Sequence, residues 1–218
     1  MTIKYIGHAT FLITTAGGLR IIMDPYEAGA FGGALGYKAC TDPADVVTVS
    51  HEHADHNYVN GVHGSPVILR GAGTVQGVRF EVVSAHHDTS GGKERGEDRL
   101  FKFSADGITI AHLGDLGHVL TSQQVAELKP VDVLLVPVGG TFTVDAKAAW
   151  ELIKLVGPKV VIPMHFRTDR TSLPLARVDE FLRLAGDTPV EKVEGSSVEL
   201  SAANVGDALR VIVLDPSN

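Results

Sequence analysis

The segment His51–His56, His-Glu-His-Ala-Asp-His, constrains this chain most, and it directly follows the apolar run Val46–Ser50. On an extended or tightly turning segment, side chains two apart project to the same side, so His51 and His53 can bind one ion. Asp55 and His56, turning into a following helix, can face a second ion nearby. Imidazole and carboxylate together suit zinc, and also manganese or iron. A polar surface loop is the alternative, but four such residues entered from a buried strand make it improbable.

Further metal-competent residues follow other apolar runs. Asp115 comes after the run ending at Leu113, His165 follows Val160–Met164, and the pair His86-His87 follows Val78–Ala85. Strand-to-loop junctions at one sheet edge are where α/β folds place ligands. Because strand alternation points His86 and His87 in opposite directions, only one of them should bind, and the residues alone leave open which.

Short β-branched and apolar runs alternate with Gly, Pro and Asp, which predicts an α/β fold with many strands. Strands are expected over Ile3–Gly7, Thr10–Thr15, Leu19–Met23, Val46–Ser50, Val67–Arg70, Val78–Ala85, Leu100–Phe103, Ile108–Leu113, Val131–Val138, Val160–Met164, Val190–Val193, Ser197–Leu200 and Leu209–Leu214. Helices are expected over Ser122–Leu128, Ala146–Val156 and Ala176–Ala185. Tyr26–Cys40 and His86–Arg99 are expected to be loops, and loops as long as the first are usually functional or mobile.

Length and composition limit the classes of protein. The 218 residues fit one large domain, and without a linker-like stretch we expect a single domain over 1–218. A formal net charge of −7 disfavours nucleic acid or an anionic membrane as the main partner. No signal-peptide pattern and no apolar run of about 20 residues is present, so we expect a soluble, cytoplasmic protein. The single cysteine, Cys40, excludes an internal disulfide.

The motif His51-x-His53-x-Asp55-His56 resembles the signature of the metallo-β-lactamase superfamily. This resemblance implies a four-layer αββα sandwich with two similar halves. It also implies two metal sites, the first formed by His51, His53 and His87, the second by Asp55, His56 and His165, with Asp115 bridging both. His87 is preferred over His86 because related proteins commonly keep a His-Asp pair at this place, here His87-Asp88.

Five segments narrow the resemblance to small Zn-dependent hydrolases related to the L-ascorbate-6-phosphate lactonase type. They are Gly7–Ile13, Ile22–Pro25, Ala111–Asp115, Val136–Gly140 and Ile162–His165. Two divalent ions, Zn²⁺ or else Mn²⁺ or Fe²⁺, would lower the pKa of water from its value in bulk solvent towards about 7. The resulting hydroxide would attack a small ester, lactone or phosphoester, with Asp55 and Asp115 as the catalytic carboxylates.

Several residues have a supporting role in this hypothesis. By the resemblance, Asp24 braces the metal loop, although Asp24-Pro25 is also an ordinary turn-former. His8 either contacts substrate, orients a ligand or is structural. His118 is a candidate proton donor or an exposed loop histidine. Lys93 or Arg95 would contact an anionic substrate, unless they are solvated charges of a glycine-rich turn.

Other functions are a phosphodiesterase acting on lipid or nucleic acid, and a non-catalytic metal-binding protein. Nucleases of this fold need an RNA-gripping arm, and the chain has no basic stretch for one. Redox di-iron relatives carry Glu where this chain has His53. The expected partner is therefore a small molecule, anionic if Arg95 contacts it, with no nucleic acid and no membrane, and a homo-oligomer is a base-rate expectation.

Overall fold

The computed structural model describes residues 1–217, which form two β-sheets and three α-helices. The first sheet has six strands in the order β13-β1-β2-β3-β4-β5. Its strands are β1 (Thr2–Gly7), β2 (Thr10–Thr14), β3 (Arg20–Met23), β4 (Val46–Thr48), β5 (Val67–Leu69) and β13 (Ser197–Glu199). β3, β4 and β5 are parallel, which brings their carboxyl ends to one edge.

The second sheet has eight strands in the order β12-β14-β11-β10-β9-β8-β7-β6. Its strands are β6 (Gly73–Val75), β7 (Val78–His86), β8 (Glu97–Ala105), β9 (Ile108–His112), β10 (Val133–Pro137), β11 (Val160–Met164), β12 (Val190–Lys192) and β14 (Arg210–Val213). β9, β10 and β11 are parallel neighbours, so their carboxyl ends also share an edge. The helices are α1 (Ser122–Leu128), α2 (Ala146–Val156) and α3 (Val178–Arg183).

Both faces of the first sheet are apolar, so each face must be covered by other parts of the chain. On β2, Phe11 and Ile13 pack into the main core with strands of the second sheet, whereas Leu12 faces the opposite way. This is the period-two alternation of a strand. The outer face is covered by the Tyr26–Cys40 excursion, whose Tyr26 and Tyr37 rings lie 5.5 Å apart. The long loop therefore buries apolar surface instead of projecting into solvent.

Helix α2 shows how local sequence signals define an element. Asp145 caps its first turn by accepting a hydrogen bond from the Ala148 backbone N–H at 2.8 Å, and Gly157 ends it in the left-handed conformation with φ +69°. Trp150 stacks on Phe181 of α3 with ring centroids 4.9 Å apart. The indole N–H donates to the Phe181 carbonyl at 2.9 Å, so the buried polar atom is satisfied.

The α/β prediction with a two-sheet architecture is confirmed, and the differences are local. Strand β6, which was not predicted, forms a hairpin with β7 through Gln76-Gly77, both of which have positive φ. β8 begins at Glu97, so the loop before it is shorter than expected. Helix α3 begins at Val178 instead of Ala176, because the backbone of Ala176 is held between Arg167 and Gly139.

The expected helix after His56 does not form. His56 and Asn57 both donate backbone hydrogen bonds to the His53 carbonyl, which closes a single turn. The Tyr58 N–H then bonds the Pro25 carbonyl, and only the 3-10 turn Val59–Gly61 follows. Within residues 1–217, no helix has the length and apolar character of a membrane span.

Candidate metal centre

The metal-competent side chains meet because the carboxyl ends of four strands converge. His51 lies three residues beyond β4, His87 directly follows β7, Asp115 lies three residues beyond β9, and His165 directly follows β11. Each is 4% exposed or less. Strands from both sheets thus contribute to one site, as expected for ligands at strand ends of α/β folds.

One cluster consists of three imidazoles. His51 Nε2 lies 2.9 Å from His53 Nδ1, and the His87 ring centroid lies 4.9 Å from that of His51 and 5.2 Å from that of His53. One nitrogen of each ring falls within 4.8 Å of the others. His53 is the exposed member of the three, so this cluster is open on one side.

A second cluster consists of Asp55, His56, His165 and His8, all buried, with one ligand atom of each within 4.8 Å of the others. Asp55 Oδ2 lies 3.6 Å from His56 Nε2. The same oxygen accepts a hydrogen bond from His8 Nε2 at 2.9 Å, and the His8 and His165 ring centroids are 4.1 Å apart. His8 therefore joins this cluster directly, which the sequence left open.

Asp115 lies between the two clusters. Its Oδ1 is 3.1 Å from His56 Nε2, and its Oδ2 is 3.2 Å from His87 Nε2 and 3.3 Å from His165 Nε2. One carboxylate therefore contacts imidazoles of both clusters, the geometry that a carboxylate shared by two ions requires.

The spacing of these atoms fits a metal ion better than it fits hydrogen bonds. Neighbouring ligands of a tetrahedral ion with bonds of 2.0–2.1 Å are about 3.3 Å apart, close to the separations around Asp115. His56 Nε2, Asp55 Oδ1 and Asp115 Oδ1 are buried and have no hydrogen-bond partner. Because buried polar atoms are normally paired, a shared cation is the natural partner for these three.

The buried negative charge around the site also favours a bound cation. Four carboxylates in or directly beside the two clusters are 6% exposed or less, those of Asp24, Asp55, Asp98 and Asp115. Within residues 1–217, no lysine or arginine nitrogen lies within 4.0 Å of any of them, and their only ion-pair partners are imidazoles. Buried charge needs compensation, and divalent cations bound among these carboxylates would supply it.

Burial and neighbouring charges shift the pKa values of several groups at the site. Burial would lower the pKa of His56, but the Asp115 and Asp55 carboxylates outweigh it and hold this pKa well above its ordinary value. Burial would likewise raise the pKa of Asp115, yet His165 and His56 hold it well below the usual range. For His8, burial and His165 prevail over Asp55 and lower the pKa to about 4.

Asp24 braces the metal loop instead of only making a turn. Its Oδ1 accepts from the Ser50 backbone N–H at 2.8 Å, while its Oδ2 accepts from Ser50 Oγ at 2.5 Å and from His56 Nδ1 at 2.9 Å. The bond to Nδ1 fixes the tautomer of His56, so that Nε2 faces Asp115. Such outer partners orient the imidazoles that bind metal.

Two contributors were not anticipated from the sequence. Ser50 Oγ lies 2.9 Å from His51 Nδ1 and so links this ring to Asp24. Asp98, on β8, is 1% exposed, and its Oδ1 lies 3.5 Å from the same Nδ1. Both leave His51 Nε2 free to face the cluster. The sequence signal for Asp98 was only a carboxylate between Glu97 and Arg99 in a polar stretch, which does not distinguish it from a surface residue.

Three residues at the site have left-handed backbone conformations: His8 has φ +55°, Asp24 +48° and His165 +52°. Positive φ is uncommon outside glycine, and clusters of such residues are found at functional sites, where the surrounding structure holds them. The His165 N–H donates to the His8 carbonyl at 2.8 Å, which ties two of them together.

Of the two neighbouring histidines at the end of β7, only His87 lies in a cluster. His87 is 2% exposed and contacts Asp115. His86 points away, and its ring centroid lies 5.6 Å from that of His118. His118 Nε2 accepts from the His86 backbone N–H at 3.2 Å, and neither ring lines the cleft. Of the two alternatives for His118, the proton donor therefore has no support from the geometry, because this ring is held against the end of β7.

A cleft of about 330 Å³ opens onto the two clusters. Its lining residues are Phe31, His53, Asp55, His87, Arg95, Asp115, Phe142, His165 and Leu173. Arg95 faces the cleft with its guanidinium 5.7 Å from the centre of the Phe142 ring. Lys93 is exposed and does not line the cleft, so of the two cations considered above only Arg95 belongs to this site.

Residues 2–165 match the family described as the β-lactamase superfamily domain. A UPF0173 metal-dependent hydrolase of Carboxydothermus hydrogenoformans is 32% identical over 196 residues, covering 77% of this chain and 85% of the relative. A relative of the same name from Methanoculleus marisnigri is 31% identical over 240 residues, covering 95% and 100%.

Solved structures agree with these sequence matches. A protein of Thermotoga maritima, described as a Zn-dependent hydrolase of the metallo-β-lactamase superfamily, has a TM-score of 0.79 and 37% identity over 98% of this chain and 97% of that one. A metallo hydrolase of Ignicoccus hospitalis shares the fold, with a TM-score of 0.65 and 22% identity over 100% of this chain and 96% of that one. The narrower likeness to the L-ascorbate-6-phosphate lactonase type stays a prediction. The chain belongs to the metallo-β-lactamase superfamily, and it is a metal-dependent hydrolase of that superfamily.

Proposed function

We propose that this hydrolase is dinuclear and cleaves a small ester, lactone or phosphoester by attack of an activated water. The position of Asp115 carries the proposal, because its carboxylate lies within 3.3 Å of histidines from both clusters. The first ion would be held by His51, His53 and His87, the second by Asp55, His56 and His165, and both by Asp115.

The donor set favours a catalytic site over a structural one. Structural zinc sites are usually closed and rich in cysteine, whereas this set contains only imidazole and carboxylate, and the single cysteine, Cys40, lies in the Tyr26–Cys40 excursion. The exposed edge at His53 opens onto the cleft and leaves room for water and substrate. Two bound divalent ions lower the pKa of water and polarise the electrophile's oxygen. Zn²⁺ suits these ligands best, and Mn²⁺ or Fe²⁺ also fit them.

The chain's own residues would supply rigidity. Asp24 accepts from His56 Nδ1 and Ser50 Oγ contacts His51 Nδ1, so both rings present Nε2 to the site. His8 donates from Nε2 to Asp55 Oδ2, which holds that carboxylate in place. Pre-organised ligands of this kind need no rearrangement during the reaction, which is a main source of catalytic power.

The cleft favours a small substrate over a polymer or a lipid bilayer. Its volume of about 330 Å³ lies at the small end of the usual range of ligand sites. The formal net charge of −7 disfavours a polyanionic partner. A phosphodiester of lipid or nucleic acid is the alternative substrate, and competition by RNA or vesicles in the assay below would identify it.

The test uses His53→Ala, because His53 is the exposed imidazole and its loss disturbs the core least. We expect hydrolysis of model lactones and phosphodiesters to be abolished while circular dichroism stays unchanged. His63→Ala is the matched control, since His63 is exposed and outside the site. Full activity of His53→Ala would contradict the proposal.

A further inference from the structure

Four residues of the cleft wall have no part in holding metal: Phe31, Arg95, Phe142 and Leu173. Three are apolar and one is a cation, and all face the volume next to the clusters. Their chemistry therefore indicates which groups of the substrate lie beside its reacting bond.

Both the exposure and the backbone conformation of Phe31 are unfavourable. Its side chain is 53% exposed and its φ is +56°, a conformation that bulky residues rarely adopt. Exposure of a large apolar ring and an unfavourable backbone both oppose folding, so a contact made only with a bound ligand is the natural explanation.

The loop that carries Phe31 is fixed to a neighbouring segment. The Ala34 carbonyl accepts from the Ser172 N–H at 2.9 Å and from Thr171 Oγ1 at 3.0 Å, and the Gly36 N–H donates to the Arg170 carbonyl at 2.7 Å. Leu173 follows this segment directly. Phe31 and Leu173 therefore belong to one pre-formed wall.

Arg95 is positioned by Asp88. The Asp88 carboxylate accepts backbone N–H bonds from Ser90, Gly92, Glu94 and Arg95 at 2.8 to 3.0 Å, which shapes the whole turn. The Arg95 guanidinium lies 5.7 Å from the Phe142 ring centre, a cation–π distance. In the part of the chain that the structure describes, no carboxylate lies within 4.0 Å of this guanidinium, unlike Arg20 or Arg177.

We propose that the substrate is an amphipathic anion: its apolar group contacts Phe31, Phe142 and Leu173, and a carboxylate or phosphate separate from the reacting bond pairs with Arg95. This rests on the proposed function only in placing the reacting bond at the clusters. Arg95 offers a planar fork of donors that matches either oxyanion.

Binding of unreactive probes tests the proposal without hydrolysis. Titration calorimetry would compare 4-phenylbutyrate, phenylphosphonate and neutral 4-phenylbutan-1-ol on the protein as purified. We expect at least one anion to bind about tenfold or more tightly than the alcohol, the value of one charge-assisted contact. The tighter anion identifies carboxylate or phosphate as the group recognised.

Arg95→Met keeps an unbranched apolar stem without the charge and should remove the preference for the anion, whereas Lys93→Met, two residues away on the same turn, should keep it. Phe142→Leu should weaken all three probes. The same preference in Arg95→Met as in the wild type, or no binding of any probe, would overturn the proposal.

A hydrolytic arm separates this inference from the proposed function. The zinc-loaded protein would be assayed with mono-p-nitrophenyl glutarate and p-nitrophenyl valerate, which differ only in a terminal carboxylate. Hydrolysis of both at equal rates would contradict the inference and leave the proposed function standing, and probe binding without any hydrolysis would do the reverse.

Discussion

Single residues outside the ligand set decide where the ligand nitrogens point. Asp24 illustrates this, since one buried carboxylate accepts three hydrogen bonds from Ser50 and His56. The preceding Met23 ends a strand, and Thr10 Oγ1 donates to the Asp24 carbonyl at 2.5 Å, so the backbone is fixed as well. The side chain cannot move without releasing the metal loop.

Asp24→Ala should therefore lower both stability and metal content. Losing the carboxylate leaves buried donors of Ser50 and His56 unpaired, and we expect the free energy of unfolding to fall by about 2–4 kcal/mol. Urea denaturation and elemental analysis measure the two effects. Asp187→Asn, which removes one negative charge at an exposed position away from the site, is the control and should change neither.

His87→Ala and His86→Ala form a matched pair of neighbouring substitutions. His87 Nε2 lies 3.2 Å from Asp115, while His86 faces His118, so only the first variant should lose about one of two metal equivalents. Elemental analysis of the two purified variants decides between them. Equal metal content in the two variants would show that His87 is not a metal ligand.

At residue scale, the sequence predicted the ligand candidates and, through the resemblance, Asp24, but it did not predict the contacts of Ser50 and Asp98 with His51. His51–His56 are recognisable because their spacing has a direct geometric meaning on a turning segment. Asp98 reaches the site only through the pairing of β8 with β7, in which Asp98 lies opposite Ala85. Such a contact depends on long-range register, which local patterns do not encode.

At the scale of elements, the strand ends approach one another so closely that certain glycines have no substitute. A Cβ on Gly139 would clash with the carbonyl oxygen of His165, and one on Gly117 would clash with the backbone of His87 and Asp88. Both glycines thus allow loops to pass beside the residues that form the clusters.

Gly139→Ala should therefore destabilise the protein by about 2 kcal/mol or more, because the backbone at His165 must shift. Gly71→Ala is the matched control, since a Cβ there meets nothing within 4 Å and its φ is ordinary. Thermal unfolding and metal content would both fall only for Gly139→Ala. A stable, fully metallated Gly139→Ala variant would show that the close approach is relaxed in solution.

Element prediction succeeded where apolar periodicity was strong, as in α2 and in the buried strands β10 and β11. It ends where tertiary contacts decide. The sequence predicts a C-terminal strand but not its neighbours, and β14 lies between β11 and β12, parallel to both. Partner choice of this kind follows from the packing of whole sheets and not from the strand's own residues.

At the scale of the whole molecule, the two sheets bury the carboxylates of Asp24, Asp55, Asp98 and Asp115 at their common edge, and within residues 1–217 the only ion-pair partners of these four are imidazoles. Divalent ions bound there stabilise the folded state in proportion to RT ln(1 + [metal]/Kd). Chelation should therefore lower the melting temperature, and added Zn²⁺ should restore it. The difference in melting temperature between the chelated and the Zn²⁺-supplemented protein should be smaller for Asp24→Ala than for the wild type.

The central claim, a dinuclear metal-dependent hydrolase, is tested most directly by the metal content per chain of protein purified without added metal. The same protein would be assayed for hydrolysis of model lactones and phosphodiesters before and after chelation. The account predicts about two equivalents of metal, loss of activity on chelation, and recovery with one particular divalent ion. Absence of bound metal, or activity that chelation leaves unchanged, would contradict it.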